Sequence, residues 1–232
     1  MTHEPVMKQV LMYRDRGAWT DVIRKADAVL AHRPDYSDAH REKGIAENKL
    51  WVSSGSPAGM ATGVGSLLKA IALSPRDYDT HASLGGALKR TGRRRYAWVA
   101  YRRAARVSRG HPYPLLNKIK LEAHLERRLV IDHRLRFQLG RAERMRAAEA
   151  GDNPPAGAWW CFFDLAEMRL YAGDREQAIA WMNEGIRACH ARWQAETCRQ
   201  SLLLLQDVTG IDGSLLSELA DALKQAEERL PA

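Results

Sequence analysis

With 232 residues, 45% of them hydrophobic, the chain is long enough for one extended domain or two small ones and too apolar for a disordered segment. Only 17 Gly and 9 Pro interrupt a run of Ala, Leu, Arg and Glu, a helical vocabulary that argues against a protein of many short strands. The net charge of +8 is segregated: residues 1–79 are nearly balanced at +1, residues 80–148 carry +14 with no carboxylate between Asp79 and Glu122, and residues 149–232 carry −7.

In chain order, residues 3–36 predict a first helical hairpin, with Tyr13 and Val10 on its first helix, Gly17 at the turn, Trp19, Val22, Ile23, Val29 and Leu30 on its second, and Pro34 closing it. Residues 37–77 repeat the pattern: His40 and Gly44 open it, and Ala70, Ile71 and Pro75 stand where Val29, Leu30 and Pro34 stood. This second unit is seven residues longer. The excess falls in the Gly/Ser/Pro-rich stretch 51–65, expected to be a loop between its helices. Residues 78–111 hold the fullest version, with His81, Leu84, Gly85 and Leu88 before Gly92, and Ala97, Tyr101 and Ala104 after it.

A degenerate unit follows at 112–158, with helices expected near 114–127 and 130–150 and the DNPPAG turn at 152–157 ending it. Residues 159–192 return to the pattern with Gly173, Asp174, Ala178 and Ile179. Residues 193–232 then predict two C-terminal capping helices, the last with Ser214 as its N-cap.

The spacing of Leu84, Gly85, Leu88, Gly92, Ala97, Tyr101 and Ala104 closely resembles the tetratricopeptide repeat, a 34-residue helical hairpin. The resemblance implies an all-α, right-handed superhelical solenoid of about five such hairpins over residues 3–192, capped by 193–232. Its physical content is independent of the family. Gly85 allows close helix approach, Gly92 can take the left-handed conformation that ends a helix, and each hairpin must stack on a neighbour to bury its remaining apolar face. A narrower likeness covers residues 159–205, where WW, FFDLAE, YAGD and a following Trp-bearing helix look like the TRAFs-binding-type helical domain of bacterial tetratricopeptide proteins. That likeness implies a scaffold in signalling or defence assemblies.

In this family the first helices line a concave groove. The equivalent outward positions here are Lys8, Leu11 and Arg14, then Arg41, Glu42, Ile45, Asn48 and Lys49, then Ser83, Lys89 and Arg90, then Asn117, Lys120 and His124, and finally Asp164 and Glu167. The basic centre of this set suits an acidic protein segment held by charge-assisted hydrogen bonds. The alternative for any one charge is a solvated helix face. The family's carboxylate clamp is not reproduced, because Met7, Leu11 and Glu42 fill its slots, so a chaperone tail is not the expected ligand.

A second candidate is the run 93–109, in which Arg94, Arg95, Arg102, Arg103, Arg106 and Arg109 are interleaved with Tyr96, Trp98 and Tyr101. Most of these aromatics are expected on the packing face, leaving an arginine ridge able to take phosphates without base readout. That ridge carries the alternative function, a nucleic-acid-binding accessory subunit.

Cys161, Cys189 and Cys198 lack CxxC spacing and read as reduced, packed thiols of a cytoplasmic protein; no metal, cofactor or catalytic residue is expected. Charges near the N-terminus interrupt any signal-peptide core, and Leu202–Leu205 is far too short to span a bilayer. No HExxH, P-loop or GxSxG pattern occurs. The expected function is therefore a non-enzymatic adaptor, scaffold or regulatory subunit. Charge segregation also allows weak head-to-tail self-association, which is not favoured over a monomer.

Overall fold

The computed structural model describes residues 4–57, 59–60, 62–151 and 158–231. The turn expected at 152–157 lies outside them. The described residues are all-α: α1 (Glu4–Asp15), α2 (Trp19–His32), α3 (Ser37–Ser53), α4 (Val64–Leu73), α5 (Tyr78–Arg90), α6 (Arg94–Val107), α7 (Pro112–Glu126), α8 (His133–Glu149), α9 (Trp159–Ala172), α10 (Arg175–Arg187), α11 (Arg192–Leu202) with a 3-10 turn at Leu203–Leu205, and α12 (Gly213–Arg229). A single β-type bridge joins Arg128 and Thr209 among them. The chain divides into two compact units, Met1–Arg109 and Gly110–Ala232.

In the first unit three hairpins, α1–α2, α3–α4 and α5–α6, stack so that α3 packs on α1 and α5 on α3. The small residues at fixed offsets cause this. A Cβ placed on Gly85 would lie 2.7 Å from the Tyr101 ring, so α5 and α6 can approach as they do only over a glycine. Gly44 and Gly63 do the same for α3 and α4, where a Cβ on Gly63 would lie 2.0 Å from the Gly44 carbonyl oxygen. Val22, Val29, Ala70, Ala97 and Ala104 are fully buried at equivalent slots. The repeated histidines also share one bond: the His40 ring contacts the Pro34 carbonyl at 2.9 Å, and the His81 ring contacts that of Pro75 at 3.0 Å.

In the second unit only α9–α10 reproduces the pattern closely, with Gly185 beneath the Phe163 ring at the slot that the buried Ala104 fills in the third hairpin. The degenerate segment behaves differently. Here α7 packs on α9 and on the 3-10 turn as well as on α8. The last helix starts earlier than its serine suggests: Asp212, not Ser214, is the N-cap, because its carboxylate accepts the Leu215 N–H at 3.0 Å. Leu215, Leu219, Leu223 and Ala226 of α12 are buried in the unit's core.

Candidate functional site

The first-helix layer of unit 1, where the sequence places a basic groove, holds its charges in internal pairs. Glu42 on α3 is 1% exposed and accepts from Arg14 of α1 at 3.3 Å and from Arg41 at 3.2 Å. Arg41 in turn reaches Asp77 at the start of α5, 3.0 Å away. Burial alone would lower the Arg41 pKa, but Glu42, Asp79, Asp38 and Asp77 outweigh it and raise it. For Asp77, burial is outweighed by the Thr80 hydroxyl and the Arg41 guanidinium, and its carboxyl sits below the ordinary value.

Asn48 is also buried. It donates to the Thr62 carbonyl at 3.0 Å and accepts from Arg90 at 3.0 Å, which ties the inserted loop and α5 to α3. The Lys49 ammonium lies 5.8 Å from the centroid of the Trp19 ring. Lys8 is exposed and Lys89 half-buried on the same layer.

The remaining groove candidates belong to unit 2, where Lys120 is buried and Asn117 and His124 are half-buried. Lys120 is 4% exposed, with its ammonium 2.5 Å from Glu167 and 2.8 Å from the Ser201 hydroxyl. The Tyr171 hydroxyl donates to the other Glu167 oxygen. Asn117 donates to the Tyr113 carbonyl at 3.0 Å, and the His124 ring contacts the Leu204 carbonyl at 2.8 Å. Beside this network, Arg146 bonds Asp164 at 2.7 Å and also pairs with Glu149. Burial pushes the Asp164 carboxyl up to about 6, against the pull of Arg146. Burial likewise pushes the Cys189 thiol up to about 12 and raises those of Cys161 and Cys198, so these thiols are held protonated. Every member of this polar cluster has a partner, which suits a structural network.

The arginine run has the opposite character. Arg93, Arg95, Arg103, Arg106 and Arg109 are exposed and not ion-paired among the described residues. Arg94 is exposed as well, and Arg102 lies over the Trp98 ring at 4.4 Å. Of the aromatics expected on the packing face, Tyr101 is buried and Trp98 half-buried, while Tyr96 is 70% exposed.

Tyr96 opens onto a feature that the repeat pattern did not reveal. Between α4 and α6 runs an apolar groove of about 480 Å³ whose floor is α5, lined by Val64, Leu68, Ile71, His81, Leu84, Leu88, Tyr96, Val99 and Ala100, with Arg93 and Arg103 at its edge. Leu68 is 52% and Val99 47% exposed in the full chain. A signal for it does exist in the sequence. The second-helix segment VGSLLKAIAL is apolar nearly all round, and a helix of that kind is expected to be covered on more than one side.

Among the described residues no group of three or more His, Cys, Asp and Glu side chains is arranged to hold a metal ion, and no helix is long and apolar enough to cross a membrane.

No protein-family model matches the chain, and no curated protein matches it. Among solved structures, one of Naa15/Naa10 bound to HypK-THB is similar at 12% identity with a TM-score of 0.45, over 98% of this chain and 35% of that one. The chain thus spans about a third of that neighbour's length. The helical hairpins themselves, not this likeness, establish the fold.

Proposed function

We propose that the chain is a non-enzymatic, cytoplasmic interaction module, an adaptor or regulatory subunit that binds an acidic segment of another protein. The observation that carries this reading is the row formed by Arg95, Arg103 and Arg106 of α6, exposed and not ion-paired among the described residues, in a segment of net charge +14. Cations left unpaired on one face attract an acidic partner and orient it, whereas Arg14, Arg41 and Arg90 already satisfy groups of their own fold. The acidic segment expected on the first-helix layer is therefore better served on the α6 side.

The same arginines, with Arg102 stacked on Trp98, favour a nucleic acid as the second reading. Affinity capture by the full chain from the source cell, with and without nuclease, separates the two. Retention of a protein after nuclease, and its loss with Arg95→Glu/Arg106→Glu, is expected. A capture consisting of nucleic acid alone, abolished by nuclease, would overturn the protein-binding reading.

A further inference from the structure

The groove beside the arginine ridge defines what kind of acidic segment fits. On α4, Val64, Leu68 and Ile71 fall at i, i+4 and i+7; on α6, Tyr96, Val99 and Arg103 fall at i, i+3 and i+7. That spacing keeps one stripe of each helix facing the same channel for two turns, about 10 Å of helix axis at 1.5 Å per residue. An extended peptide in this channel would bring backbone N–H and C=O groups against walls that return nothing, since those of α4 and α6 are bonded within their own helices. A helix satisfies its own backbone and offers an apolar stripe to walls of that shape.

Charge fixes the rest of the chemistry. Neither α4 nor α6 contains a carboxylate, and Lys69 on the first and Arg103 and Arg106 on the second are exposed. We infer that the α4–α6 groove is the docking site for an amphipathic acidic helix of a partner protein, its apolar stripe on Leu68 and Val99 and its Asp/Glu flank against the α6 arginines. The inference rests on the reading of the chain as a binder of acidic segments, and adds the conformation of the segment and its seat. A second copy is a poorer occupant. The chain's own acidic C-terminal helix buries Leu215, Leu219 and Leu223, and its Glu218 and Glu227 are paired with Arg175 and Arg199.

The test displays a library of helix-forming peptides, with every residue type allowed at each outward position, to the full chain, and counter-selects against Val99→Glu. The circular dichroism of each variant is checked to match the parent. Survivors are expected to carry apolar residues at i, i+3 or i+4, and i+7 beside Asp and Glu, to gain helicity on binding, and to lose at least tenfold in affinity to Val99→Glu and to Arg103→Glu. Survivors that are basic or extended, or a selection without any binder that distinguishes Val99→Glu, would overturn the inference. So would a concentration-dependent dimer in sedimentation that Val99→Glu abolishes, which assigns the groove to a second copy. If the inference fails while a captured protein is still lost with Arg95→Glu/Arg106→Glu, the acidic-segment reading stands without it; if that loss is also missing, both fall.

Discussion

The first-helix layer of unit 1 and the α4–α6 face are built from the same repeats and both carry arginine, yet their cations do different things. On the first layer Arg14 and Arg41 surround a buried Glu42, and Arg41 goes on to Asp77, so the charges join one hairpin to the next. On α6, Arg95, Arg103 and Arg106 meet no carboxylate among the described residues, and Arg103 borders an apolar groove. A basic stretch of sequence thus has two physical outcomes. Where acidic residues occur at matching positions on the neighbouring helix, the cations become structural; where none does, they remain available to a partner.

The sharpest way to break this contrast lies in unit 2, where Lys120 is the extreme case of a cation used internally. Lys120→Met strands Glu167 in the core and should lower stability by about 3 to 5 kcal/mol in urea unfolding. An unchanged midpoint would mean that Lys120 is solvated and that the division between internal and available cations is wrong.

That residue also shows where the sequence could and could not be read. Repeat positions such as Gly85, Ala97 and Ala104 were legible because close packing admits only small side chains at those offsets. The fate of a charged side chain depends on what a distant segment places opposite it. Lys120 occupies a repeat position that would face outward, but α7 packs on α9, which brings Glu167 to it, and on the 3-10 turn, just before which the end of α11 brings Ser201. Asn48 is likewise buried by the inserted loop, through the Thr62 carbonyl. The α4–α6 groove was only half legible: the excess apolar residues of α4 marked it, while Tyr96, expected on the packing face, is 70% exposed.

Packing in the repeat itself supplies the next test. Gly85→Leu drives side-chain atoms into the Tyr101 ring and should cost about 1 to 3 kcal/mol by thermal or urea melting. A neutral result would place α5 in a different register against α6, and with it the floor of the groove.

A pH experiment sharpens the account of unit 2. The folded pKa of Asp164, about 6, lies above the ordinary aspartate value of 3.8. Its contribution to stability is therefore full below about pH 4 and is lost as pH rises to about 6, an effect on the order of 1 to 3 kcal/mol. Asp164→Asn should remove that dependence, so the stability of the parent relative to the variant should fall between pH 4 and 6.5. Parallel profiles would mean that burial does not outweigh the pull of Arg146 on Asp164.

The smallest expected stability effect is on α6. Arg95→Glu and Arg106→Glu should each change stability by less than about 0.5 kcal/mol, since neither side chain is ion-paired within the fold. A larger loss would mean that these cations are structural after all.

The most direct test of the central claim compares two double reversals in the full chain, Arg95→Glu/Arg106→Glu on α6 and Lys8→Glu/Lys89→Glu on the first-helix layer, by the affinity of each for the captured protein partner. The account predicts at least a tenfold loss for the α6 pair and little change for the other. The reverse ranking, with helical content intact in both, would contradict it and return the binding surface to the first helices.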